Sequence, residues 1–199
     1  MYIVILIMID TCGHHTCELT PESVADRIKV GPVLSSIYDE HGKLKSKPPF
    51  AGDGYYFWED NIDAAEWWGE VRYLNERKKF RIFRIDLKLR YDDKSLIDLI
   101  GNRQHLKLML SQINKARMRT NTDGWKLHHF IAYFKRMQST TPGIFPYKMI
   151  RFNDSRLNFK MQQPLMLNDS KKRVLLNPFY IICVFDLNDL DLKTFKFIK

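Results

Sequence analysis

The sequence holds three cysteines, an odd number with no Cys-x-x-Cys pair. That argues against a disulfide framework and leads us to expect a reducing compartment, the cytosol by default. Long apolar runs are also missing. The one candidate, MYIVILIMID at 1–10, is too short to span a bilayer, has no basic residues before it and no small-residue cleavage site after it. It reads as a buried strand, and no membrane partner is implied. Neither an internal repeat, a low-complexity tract nor a linker divides the 199 residues, so one domain over 1–199 is expected.

Acidic residues are scarce in one stretch. Between Arg103 and Phe152 stand ten of the 32 Lys and Arg but a single acid, Asp123, of the 23 Asp and Glu. Elsewhere the two signs balance, so this segment carries the whole net charge of +9. Arg103, Lys107, Lys115, Arg117, Arg119 and Lys126 are therefore candidate contacts to a polyanion such as RNA or DNA. The competing reading is the solvated face of two helices.

What is present is a mixture of both periodicities. Tyr2 to Asp10 predicts a strand running toward Gly13, His14, His15 and Thr16. Thr20 as N-cap, Pro21 at the first helical position and Gly31 at the C-cap predict a short helix. Pro32 to Phe50 reads as a surface loop. Tyr55 to Trp58 reads as a strand, with Asp60 capping a helix that carries Ala64, Trp67 and Trp68. Phe83, Ile85, Leu87 and Leu89 alternate with Arg84, Asp86, Lys88 and Arg90, as in a half-buried strand. Ser95 to Met118, broken near Gly101, and Trp125 to Met137 predict helices, which together form a basic insertion at about 95–140. Strands are expected again at Tyr147 to Phe152, Val174 to Phe185 and Leu192 to Ile198. This order gives an α+β class.

Several residues invite chemistry. His14 and Thr16 lie two apart, so on an extended backbone they share a face and could grip a sugar diol, the alternative being a plain polar strand end. Cys12, His14, His15 and Cys17 have the wrong spacing for zinc, and His128 and His129 are expected to diverge on a helix, so no metal is expected. A Cys17 nucleophile with His14 as base lacks an accompanying oxyanion motif. Gly52 and Gly54 let the main chain bend sharply or lie against a ligand. Tyr55, Tyr56, Phe57 and Trp58 then place two aromatics on each side of a strand. One side suits the core and the other a flat cationic ring such as nicotinamide; an aromatic core strand is the alternative.

The order of these features resembles the NAD-binding core of ADP-ribosyltransferases of the poly(ADP-ribose) polymerase-like, His-Tyr-Glu branch, bacterial toxin and phage-defence members above all. The family's His-Gly-Thr is met by His14, His15 and Thr16, and its Gly-x-Gly-x-Tyr-Phe by Gly52, Gly54, Tyr56 and Phe57. The resemblance covers the two motifs, their helices and one late strand. Two positions depart from the pattern: His15 stands for a glycine, and Ile181 stands where the family has its glutamate.

The resemblance implies an ADP-ribosyltransferase-like split β-sheet core with a helical insertion. NAD would be the substrate. His14 would hold the nicotinamide ribose, the His15 backbone the carboxamide, and Tyr56 would stack on the nicotinamide ring, with Gly54 and Tyr55 beside it and Thr16 supporting the strand end. Because some mono-ADP-ribosyltransferases are similar in carrying an aliphatic residue at the Ile181 position, single transfer rather than chain elongation is implied. Glu59 is the nearest carboxylate that could substitute. The acceptor would be a macromolecule, the basic segment suggesting RNA or DNA, and an antitoxin or inhibitor protein would accompany a toxin. The alternative is a module that binds NAD, ADP-ribose or nucleic acid without turnover.

Overall fold

The computed structural model describes residues 8–91, 95–153, 164–166, 173–175 and 179–199. In chain order the elements are β1 (Met8–Glu18), α1 (Val24–Val30), β2 (Tyr55–Glu59), α2 (Ile62–Arg72), β3 (Phe80–Arg90), β4 (Leu96–Asp98), α3 (Arg103–Arg119), α4 (Leu127–Gln138), β5 (Met149–Asn153), β6 (Pro164–Met166), β7 (Arg173–Leu175), β8 (Tyr180–Val184) and β9 (Lys196–Phe197). The molecule is thus of mixed α+β class.

Seven strands form one sheet in the order β4-β5-β8-β2-β1-β3-β9, and β6 pairs with β7 apart from it. Only β4 and β5 run parallel; the other neighbours in the large sheet are antiparallel. β1 and β3 pair along their whole length, from Met8↔Arg90 to Glu18↔Phe80.

Because strand side chains alternate, each face gathers its own apolar set. On one face Trp58, Ile82, Ile150, Phe152, Ile181 and Cys183 meet Ala64 and Ala65 of α2, Met109 and Ala116 of α3, and Phe130, Ile131 and Phe134 of α4. On the other, Phe57, Phe83, Ile85, Leu87, Leu89, Ile182 and Val184 meet Val24 and Ile28 of α1 and the apolar residues of the closing segment, Leu190, Leu192 and Phe195. No helix among the described residues is long and apolar enough to cross a membrane.

Several expectations shift by a few residues. The first strand, expected over Tyr2 to Asp10, is described from Met8 and runs on through His14 and Thr16 to Glu18, residues 2–7 lying outside the described residues. α1 is capped by Ser23, whose Oγ accepts from the Asp26 amide at 3.1 Å, so Thr20 and Pro21 lie outside the helix. Asn61, not Asp60, caps α2 by accepting from the Ala64 amide at 2.9 Å; Asp60 takes the left-handed turn before it, with φ 44°. Leu96 to Asp98 is a strand, and the long helix begins only at Arg103. Of the expected strand from Val174 to Phe185, residues 176–178 lie outside the described residues. Leu192 to Thr194 is a single 3₁₀ turn ahead of β9.

Candidate functional site

His14, Trp58 and Ile181 form one row across the sheet. His14 of β1 lies opposite Trp58 of β2, and Trp58 opposite Ile181 of β8, so the three side chains leave the same face. Arg84 continues the row beyond His14, and Phe152 beyond Ile181. Tyr56, two residues before Trp58, shares that face beside Cys183. The register thus puts His14 and Tyr56, distant in sequence, on one face of adjacent strands. Thr16 also faces this side, where its Oγ1 donates to the Ala65 carbonyl at 2.8 Å and ties α2 down over the sheet.

His14 is only 7% exposed. Its Nδ1 is the one buried side-chain nitrogen or oxygen among the described residues that has no hydrogen-bond partner. Leaving such an atom unsatisfied costs about 1–3 kcal/mol. Burial lowers the His14 pKa, opposed by the Trp58 carbonyl and by Asp60 and reinforced by Arg84, so the ring is neutral at pH 7. A neutral imidazole with a vacant nitrogen can donate to or accept from a ligand hydroxyl, according to its tautomer.

Tyr56 is anchored differently. Its hydroxyl accepts from the Ala51 amide at 2.9 Å and donates to the Gly52 carbonyl at 2.6 Å. Burial drives its pKa far above the ordinary phenol range, so the side chain offers a ring and not a proton.

The expected aromatic platform is mostly core. Trp58 packs against Trp67, Trp68 and Phe179, with ring centroids 6.2, 6.3 and 6.1 Å away, and fills the row between His14 and Ile181. Tyr55 and Phe57 point to the opposite face, so Tyr55 is not brought to His14. Gly54 is needed for packing: a Cβ there would collide with the Cys183 Sγ and reach within 2.9 Å of the Val184 carbonyl oxygen.

His15 turns away from His14 and becomes a clamp. β1 and β2 pair at Gly13 and His14. Next to that pairing the His15 Nδ1 meets the Tyr56 carbonyl at 3.0 Å, and its Nε2 accepts from the Val33 amide at 3.0 Å. Acceptance at Nε2 assigns the proton to Nδ1. Burial lowers the pKa to about 4, against the pull of the Tyr56 carbonyl.

Two chemical candidates fail on geometry. Glu59 faces the side of Gly13, opposite His14, and pairs with Arg151 at 2.6 Å. Arg151 also reaches Asp98 at 3.1 Å and stacks over Tyr180 at 4.6 Å. Asp98 further accepts from Tyr91 and from the Ile100 and Gly101 amides. Burial works to raise the Asp98 pKa, but these bonds and Arg151 outweigh it and leave it lowered. Glu59 is thus a member of a buried ion network and not a spare carboxylate for His14. Cys17 lies in the cluster on the far face, out of reach of His14 as a base.

The six basic candidates are all exposed, on α3 and at the cap of α4. No ion pair joins them to a carboxylate among the described residues. An open concavity of about 480 Å³ at the α3–α4 turn includes Arg117, Asp123 and Trp125. Sequence reasoning missed a smaller cavity of about 100 Å³ between α4 and the glycine loop, which takes in His128 and Lys135. Its signal in the sequence is the helical spacing of those two residues, seven apart. The His128 and His129 rings do not diverge but lie 3.9 Å apart. Set against family models, curated proteins and solved structures, the chain matches none.

Proposed function

We propose that this protein is a mono-ADP-ribosyltransferase with an ADP-ribosyltransferase-like core, using NAD to modify a macromolecule as a toxin or phage-defence effector. One observation carries the reading: the buried, unpartnered Nδ1 of His14, on the same sheet face as Tyr56. These residues fit the nicotinamide end of NAD, a neutral imidazole for a ribose hydroxyl and a phenol ring for the base. When bound, NAD supplies an ADP-ribosyl group whose bond to nicotinamide breaks through an oxocarbenium-like state with a neutral leaving group, so no strong general acid is required.

The chain's own task is then positioning. His14 orients a hydroxyl, and Tyr56, pinned through Gly52 and Ala51, holds its ring at a fixed angle. Thr16 fixes α2 across the site. With Ile181 in the glutamate position, a single transfer is the outcome. The exposed cations of α3 favour RNA or DNA, or a protein bound to them, as acceptor.

A second reading, a module that binds without turnover, is favoured by Trp58 and Ile181, which put hydrocarbon along the row beside His14. Incubation with NAD and a cellular extract, with released nicotinamide measured, separates the two. Release that disappears in both His14→Ala and Tyr56→Ala is expected. Release persisting in both variants would overturn the assigned roles, and NAD binding with no release would leave only the module.

A further inference from the structure

α4 lays one face along the loop that carries the paired glycines. His128, Ile131 and Lys135 follow at helical spacing and close, with Ile37, Gly52 and Asp53 across from them, the cavity of about 100 Å³. The mechanism above uses none of these side chains. His128 is 5% exposed, and its ring touches the neighbouring His129 ring without a hydrogen bond to another described residue. The Lys135 ammonium is held 3.4 Å from the centre of the Phe185 ring, and no carboxylate among the described residues pairs with it. The Asp53 Oδ1 accepts from the Ile37 amide at 2.6 Å, which leaves Oδ2 for another donor.

An ammonium and a carboxylate therefore share one small cavity without forming an ion pair. A full anion placed there is attracted by Lys135 and repelled by Asp53, and a cation meets the reverse. A neutral polyol satisfies both, its hydroxyls donating to Asp53 and accepting from Lys135. At roughly 30 Å³ per water, the space equals about three waters, enough to take the diol edge of a sugar ring while the rest of the ring stays at the exposed rim formed by Asp53 and Lys135, and too small for a base with its sugar or for a dinucleotide. Ile37 and Ile131 suit the C–H faces of such a ring.

We infer that this cavity is a pentose subsite: Asp53 receives the cis-diol, Lys135 donates to its oxygens, and His128 bonds the ring from the buried end. The subsite shares a wall with the first site, because the Gly52 carbonyl takes the Tyr56 hydroxyl at 2.6 Å. That the pentose belongs to a dinucleotide rests on the function proposed above; the cis-diol at an RNA 3′ end has the same chemistry.

The test titrates ¹⁵N-labelled full-length protein with ADP-ribose, adenosine, 2′-deoxyadenosine and a short RNA. Adenosine is expected to shift the Gly52, Asp53 and Lys135 amides, and 2′-deoxyadenosine to do so about tenfold more weakly. Asp53→Asn keeps an oxygen for the Ile37 amide and removes the charge, so it should fold normally and weaken adenosine about tenfold. Lys135→Met is the second variant and should act in the same direction. Shifts with ADP-ribose support a dinucleotide source; shifts with RNA that vanish on a 3′-deoxy end support the nucleic-acid source. Adenosine binding here without nicotinamide release from NAD upholds the subsite while removing the transfer reaction. Equal responses to adenosine and its 2′-deoxy analogue, or no response at these amides to any probe, overturn the subsite.

Discussion

A buried imidazole nitrogen with nothing to bond is a stability defect, and His14 keeps one in the middle of the longest strand pair. Replacing such a group by a hydrocarbon of similar size is close to neutral or stabilising. His14→Leu is therefore expected to melt at the same temperature as wild type or higher while losing NAD binding, measured by thermal unfolding and calorimetric titration. A lower melting temperature would mean that His14 serves the fold. His15 is the opposite case. Its pKa of about 4, against 6.5 for a free imidazole, means that the folded state binds fewer protons than the unfolded one between those values. Its contribution is complete above pH 6.5 and is lost as pH falls toward 4, by about 3 kcal/mol in all. Denaturant unfolding of wild type and His15→Gln at pH 7.5 and 4.5 should show the gap between them narrowing at the lower pH. The shared face of His14 and Thr16 was legible from their spacing alone. The His15 clamp was not, because its partner Val33 sits on a loop whose path no periodicity specifies.

At the level of elements, strong alternation was readable and weak signals were not. β3 reads directly from its sequence, since every second residue from Phe83 to Leu89 is buried. Helix starts moved because both Thr20 and Ser23 offer a capping oxygen, and Ser23 wins with Asp26 three residues on, its hydroxyl also donating to the Asp26 carboxylate at 2.6 Å. Leu96 to Asp98 reads as helix in the sequence because a short apolar run fits either period. Pairing with β5 decides it as a strand, and the bonds that Asp98 makes hold it there. That network gives a further prediction. Arg151→Met removes the cation between Glu59 and Asp98 and leaves the fully buried Asp98 carboxylate with its hydrogen bonds but no counter-charge, which should cost about 3–5 kcal/mol in denaturant unfolding. A loss below 1 kcal/mol would show that Glu59 and Asp98 find other partners.

For the whole molecule, charge was the most legible property and its use the least. Six of the ten cations of the basic segment sit on α3 and around the α3–α4 turn, where Leu106, Leu110 and Met118 are exposed among them. Binding to single- or double-stranded nucleic acid should weaken steeply with salt, and Lys115→Glu with Arg119→Glu should lower both the affinity and the salt slope, as filter binding at several ionic strengths would measure. A slope unchanged by the double reversal would move the contact elsewhere. The relation between strands was beyond sequence reading, since pairing length depends on where two chains diverge. β1 is bonded to β3 along eleven residues but to β2 only at Gly13 and His14. The sheet is thereby a three-strand and a four-strand panel joined by a narrow seam, with His14 on the seam and the His15 imidazole bolting it shut. Amide hydrogen exchange should resolve the panels as two separately opening units, and any ligand that reaches His14 would act as a wedge or a weld between them.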